Sequence, residues 1–272
     1  MSNLIFPLLF SWYSFFSVNA TDGYFKDGLF YNSNPALNKK FENSIYISGK
    51  FWDSDTKIAE FLGFRSNFSL DFVFYNFGYF PYSGLVPDDY LNLNYAAFAY
   101  KVALGYVIPF ESNFFFGIQP QYQRFEYHNF YAEGITLNIG LLGIFGSSNL
   151  PIQIYFRDFG FGSNQGFNFP ASFNFETGYY FKERIFLNAK FTQDFAEGLD
   201  KFFKKQYLIS VTGFYNFRHI IWPGFSFYLG DDLRIASFQL KIRPKGRLGI
   251  FYSVVLRKEH FGPVQSLTLG VE

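Results

Sequence analysis

The residues best equipped for chemistry are few and scattered. The histidines are His128, His219 and His260, and no two share a spacing short enough to hold a metal between them. The absence of cysteine excludes thiolate nucleophiles, disulfides and Cys-type metal sites. Acidic pairs stand at Asp88-Asp89 and Asp231-Asp232. The first, between Pro87 and Tyr90, matches no dedicated calcium loop, and the second reads as a hairpin turn. A membrane phospholipase would need a Ser/His pair assembled across strands, which sequence spacing does not supply. The expectation is a protein without catalytic activity, cofactor or bound metal.

A second group of charges is more orderly. Asp71 is opposite in parity to Phe68, Leu70, Phe72 and Phe74, and Lys101 to Phe98, Tyr100, Val102 and Leu104. Arg157 shares parity with Gln153, against Ile152, Ile154 and Phe156. Glu176 follows Ser172 and Asn174, Lys190 follows Asn188, and Lys241 follows Ser237 and Gln239. Gln119, Gln121 and Gln123 also share one face, with Pro120 between them predicting a bulge or kink. Each charge thus joins polar residues on one face of a period-two segment whose other face is large and apolar. A charge on a lipid-facing wall costs about 2–4 kcal/mol at the bilayer midplane, so these six are expected to face a lumen.

The elements that position them are therefore strands long enough to cross a bilayer at a tilt. Phe130 to Phe145 is representative: Ile135, Leu137, Ile139, Leu141 and Phe145 alternate with Gly134, Thr136, Asn138 and Gly140. About fourteen such segments run from Ser44–Trp52 to Val264–Glu272, separated by turn clusters such as Glu111-Ser112-Asn113 and Lys182-Glu183. Composition agrees. There are 43 Phe and 21 Tyr, yet the mean hydropathy is only +0.01. A soluble sandwich or propeller would have to bury most of those rings, whereas lipid solvates them on a barrel exterior. There is no repeat of propeller or solenoid period. The fold class is all-β, an antiparallel transmembrane barrel. A net charge of +1 gives no reason to expect a nucleic-acid partner.

The segment from Leu4 to Phe16 is mostly apolar and leads into Ser17-Val18-Asn19-Ala20, the pattern of a signal peptide cleaved after Ala20. This predicts residues 1–20 as a signal and 21–272 as one barrel domain, with an irregular N-terminal segment over 21–43 and the barrel over 44–272. A signal followed by a barrel points to a bacterial outer membrane, with its lipid as a partner.

Asn34-Pro35-Ala36-Leu37 lies just before the first strand. This resembles the Asn-Pro-Ala element of PorV/PorQ-type outer-membrane proteins, relatives of the FadL-like fatty acid transporters. Arg157-Asp158-Phe159-Gly160 falls where that family often has Gln-Asn-Leu-Gly, matching it only at Gly160. Phe169-Pro170, the strand to Thr177-Gly178-Tyr179 and Tyr95-Ala96-Ala97-Phe98 also resemble family elements. The resemblance implies fourteen strands and an N-terminal plug carrying Asn34, Pro35 and Ala36. Read without it, Asn34-Pro35 is equally a turn leading into the first strand. It further implies a non-catalytic docking barrel that works with secretion-system proteins or cargo. The alternative is a FadL-like channel for uptake of hydrophobic small molecules, with Phe77, Tyr79 and Tyr180 among its inward aromatics. A purely structural barrel is the third reading.

Overall fold

Period-two alternation becomes a closed wall in which every strand pairs with both neighbours. The computed structural model describes residues 34–40, 43–52, 56–81, 94–127, 130–146, 150–163, 171–181, 184–195, 207–218, 220–230, 234–243, 248–257 and 264–271. The signal segment, the three histidines, the acidic pairs and the Pro81–Asn94 loop interior lie outside these residues. A short 3-10 helix, Pro35–Lys40, precedes fourteen strands. They are β1 (Ile45–Trp52), β2 (Thr56–Arg65), β3 (Phe68–Pro81), β4 (Asn94–Glu111), β5 (Phe114–Tyr127), β6 (Phe130–Phe145) and β7 (Leu150–Ser163). There follow β8 (Ala171–Phe181), β9 (Ile185–Phe195), β10 (Tyr207–Tyr215), β11 (Ile221–Gly230), β12 (Arg234–Ile242), β13 (Leu248–Arg257) and β14 (Val264–Val271). Each pairs antiparallel with the next, and β1 closes on β14 from Ile45↔Val271 to Trp52↔Val264. Closure leaves no sheet edge, which is what a wall in lipid requires.

The outer face is the apolar one. Phe68, Leu104 and Ile135 are each more than 60% exposed, and large apolar residues stand out on every strand. No helix among the described residues is long and apolar enough to cross a membrane. The two chain termini approach the end where β2–β3, β4–β5 and β8–β9 are joined by tight turns, and the longer connections leave the other end. In bacterial barrels the short turns are periplasmic.

Pro120 does not bulge β5. Its register with β6 runs unbroken through Gln119↔Asn138, Pro120↔Leu137 and Gln121↔Thr136. Pro removes one ladder donor, but its φ is compatible with an extended chain. The bulges fall elsewhere. In β3 the register shifts between Asn76↔Phe98 and Tyr79↔Ala96, so Phe77 and Gly78 together face Ala97. Gly78 has φ 83°, a conformation that favours glycine, and its N–H donates to Asn76 Oδ1 at 2.9 Å. In β7 the shift lies between the pairs Leu137↔Phe159 and Ile139↔Phe156, so Arg157 and Asp158 share the place opposite Asn138.

Candidate functional site in the barrel lumen

The inward face is layered from one end of the barrel to the other. At the short-turn end the inward residues are large and apolar: Tyr46, Phe64, Phe115, Leu142, Phe186, Phe214, Trp222 and Phe251. They form one buried cluster with Ala36 and Leu37 of the 3-10 helix. Several rings lie over glycines on the adjoining strand. A Cβ at Gly224 would meet the Phe214 ring, one at Gly270 the Tyr46 ring, and one at Gly178 the Phe186 ring. The result is an apolar floor across the lumen.

The 3-10 helix is held by a fitted seat. It packs only against β4, β5 and β6 among the strands with substantial contact. Asn34 is fully buried, and its side-chain amide donates to Leu141 O at 3.2 Å and to Gln153 Oε1 at 3.0 Å. Its Oδ1 accepts the Ala36 N–H at 3.0 Å, closing the local turn, while the Leu37 N–H reaches Asn34 O at 3.1 Å. Glycine makes the approach feasible. A Cβ at Gly117 would overlap the backbone of Pro35-Ala36, and one at Gly140 would overlap the Asn34 carboxamide. Gly117 and Gly140 are cross-strand partners on β5 and β6. Together they form a two-residue depression that receives Asn34-Pro35-Ala36.

Above the floor the lumen wall is polar around its circumference. Asp71 and Lys101 form an ion pair at 2.9 Å, with Asp71 almost completely buried. Glu176 faces Lys190 in the β8–β9 register. Lys190 Nζ lies 5.7 Å from the Tyr155 ring centroid, and Lys241 Nζ lies 4.9 Å from that of Trp222, both cation–π contacts. All four of these charged and aromatic partners are buried. From β10 to β1 the same level carries small hydroxyls: Thr212–Ser226 at 2.7 Å, Ser253–Ser266 at 2.6 Å and Thr268–Ser48 at 3.0 Å.

On β5–β7 the polar level is an amide network centred on Asp158. Its carboxylate accepts from Gln121 and, at 2.6 Å, from Gln123, and its N–H donates to Asn138 Oδ1 at 2.8 Å. Asn138 in turn donates to Gln119 at 2.9 Å, and Gln123 donates to Thr136 at 2.7 Å. The β7 bulge makes this network. Arg157 pairs with inward Ser172 and is half-buried, while Asp158, with φ 54°, turns inward beside it. Phe159 then returns to the outer face at 49% exposure. Asp158 did not stand out in the sequence as a lumen residue. The signal was present: the outer apolar run shifts from Ile152, Ile154 and Phe156 to Phe159, a change of parity that marks one extra residue.

The long-loop end of the lumen is apolar again on β3–β6. Val73, Phe77, Ala97, Ala99, Phe125 and Ala132 are all buried inward positions. Phe77 lies 6.0 Å from Phe125 and stacks nearly parallel to Tyr75 at 6.1 Å. The side chains of Tyr79 and Tyr180 lie outside the described residues. No group of three His, Cys, Asp or Glu side chains that could hold a metal occurs among the described residues.

A barrel of this strand number, with a short helix seated inside, has solved counterparts. The toluene transporter TodX of P. putida matches with a TM-score of 0.64 at 9% identity, over 88% of this chain and 92% of that one. The Ralstonia pickettii toluene transporter TbuX matches at 0.57 and 10% identity, over 88% and 90%. A Pseudomonas aeruginosa FadL homologue matches at 0.55 and 10% identity, over 88% and 92%. The fold is that of the FadL-like barrels. At these identities the FadL-like likeness is one of architecture, and it extends over nearly the full length of each transporter. No family model matches the chain, and no curated protein sequence does.

Proposed function

We propose that this FadL-like barrel resides in a bacterial outer membrane and admits small hydrophobic molecules. In this reading residues 1–20 are a signal removed on export, and Asn34, Pro35 and Ala36 plug the short-turn end. Asp71, Lys101, Arg157, Glu176, Lys190 and Lys241 hold the polar level together through pairing and ring contacts. The observation that carries the reading is the apolar inner surface on β3–β6 at the long-loop end. Alanines at Ala97, Ala99 and Ala132 set beside Phe77 and Phe125 give an unhydrated apolar molecule a surface to bury against. An apolar floor below the polar level opposes free passage of ions and sugars. The likeness to hydrocarbon transporters favours this role over docking of secretion cargo.

The test is uptake of radiolabelled toluene and of glucose by cells with and without the protein. Faster toluene uptake with unchanged glucose uptake is expected. Ala97→Glu, which sets a carboxylate in the apolar surface, should abolish the gain while the protein still shows a heat-modifiable barrel on gels. Faster glucose uptake without any effect on toluene would refute the reading.

A further inference from the structure

The outer face of β4–β6 carries a feature that passage through the lumen does not use. Cross-strand pairs arrange its side chains in rows. The rows built on Tyr106–Ile118–Ile139 and Ile108–Phe116–Leu141 are apolar, and the row Val102–Tyr122–Ile135 ends the apolar stretch. Beyond it comes Tyr100–Arg124–Glu133, then Phe98–Glu126–Tyr131. From Phe114 to Tyr122 the β5 outer face covers eight residue steps, about 27 Å along a strand and about 20 Å along the barrel axis at a tilt of roughly 40°. That is close to the ~25 Å height of an outer-membrane apolar band. The polar rows therefore sit where lipid tails give way to head groups, at the end away from the termini.

The cluster is tightly organised. Arg124 Nε lies 2.5 Å from Glu126 Oε1, and Arg124 Nη1 donates to Glu133 Oε2 at 3.4 Å. Tyr122 Oη donates to Glu133 Oε2 at 2.5 Å. The guanidinium lies 4.8 Å from the Tyr131 ring centroid, and Tyr100 and Tyr122 rings are 6.0 Å apart. Arg124, Glu126 and Glu133 keep 31%, 27% and 33% of their side-chain surface exposed. An aromatic girdle accounts for tyrosines at this level, but not for one cation clasped between two carboxylates on a lipid-facing wall.

We infer that this patch binds the saccharide head group of an outer-leaflet glycolipid. Carboxylates accept hydrogen bonds from sugar hydroxyls, tyrosine rings pack against sugar C–H faces, and the arginine fixes both glutamates in place. The patch spans three strands, about 10 Å across, by two rows, about 7 Å along the strand. That footprint suits a disaccharide and exceeds a single phospholipid head group. The inference shares the outer-membrane placement with the proposed function but not the channel role.

Native mass spectrometry of detergent-purified protein titrated with deep-rough lipopolysaccharide, and separately with phosphatidylethanolamine, tests it. The protein should retain the lipopolysaccharide preferentially. Tyr131→Ser and the near-isosteric Glu133→Gln should each weaken that retention by about tenfold, the loss expected for one charge-assisted contact. Ala97→Glu, which faces the lumen, should leave it unchanged even where hydrocarbon uptake is lost. Equal retention of both lipids by the unaltered protein, or undiminished lipopolysaccharide retention by both patch variants in barrels that remain heat-modifiable, would overturn the inference.

Discussion

Asn34→Asp is the sharpest probe of the seated N-terminal helix. The change is nearly isosteric, so the depression at Gly117 and Gly140 still fits it. What it removes is the pair of N–H donations to Leu141 O and Gln153 Oε1. Each contributes about 1 kcal/mol, and placing a carboxylate oxygen against two buried acceptors costs about 1–3 kcal/mol more. The seated state should lose about 3–5 kcal/mol relative to the released one, two to three and a half powers of ten in population. The chain has no cysteine, so Leu37→Cys supplies a single thiol at a position only 1% exposed. Its labelling by a membrane-impermeant maleimide then reports release, because the rate follows the open population when closing outruns labelling. Adding Asn34→Asp to the Leu37→Cys chain should accelerate labelling on the order of a hundredfold or more. Gly140→Ala, which obstructs the same seat from the wall side, should act in the same direction. Unchanged labelling in both would mean that the helix is not held by these contacts, and the plug reading would fall with them.

Other expectations follow from the wall. Ile139→Lys puts an ammonium on the lipid face at a cost of about 2–4 kcal/mol and should block assembly, read as loss of the heat-modifiable band in membranes. Asp71→Asn and Lys101→Met should each destabilise the barrel by about 3–5 kcal/mol in urea unfolding from detergent. The double variant should recover most of that loss, since the pair and not either charge is what the site needs; additive losses would contradict the pairing. Gly224→Ala should lower the unfolding midpoint by the equivalent of about 1–3 kcal/mol, because its methyl group meets the Phe214 ring in the floor.

The wall was legible in the sequence because a barrel strand writes its orientation in period two, and a charge in lipid is costly enough to keep that pattern clean. Asp71, Lys101, Glu176, Lys190 and Lys241 therefore sit at inward positions that parity alone could name. Pairing across strands is less legible, since Asp71 and Lys101 are thirty residues apart and meet only through the β3–β4 register Asp71↔Ala103 and Val73↔Lys101. Asn138 shows the limit more sharply. Parity places it on the lumen face, which suggests tolerance to lysine. It is instead 4% exposed, accepts the Asp158 N–H and donates to Gln119, so lysine there would break the amide network. The face was readable, but what fills the space beyond it was not.

The bulges mark where strict alternation fails for a reason. Without an extra residue in β7, either Asp158 would face lipid or Phe159 would face the polar level. The bulge at Arg157-Asp158 resolves the conflict by turning both charged residues inward and restoring Phe159 to the outside. An aspartate suits the second place, because φ 54° is a conformation that Asp tolerates better than most residues with a Cβ. This gives a final prediction. Asp158→Gly keeps the backbone freedom and removes only the acceptor for Gln121 and Gln123, leaving two buried amide donors unsatisfied at about 1–3 kcal/mol each. Asp158→Val adds the strain of a β-branched residue at positive φ to the same loss. The valine variant should therefore unfold at lower urea than the glycine variant, and both below the unaltered chain. Equal midpoints for the two would show that the backbone at 158 is not held in the left-handed region, and that the parity change has another cause.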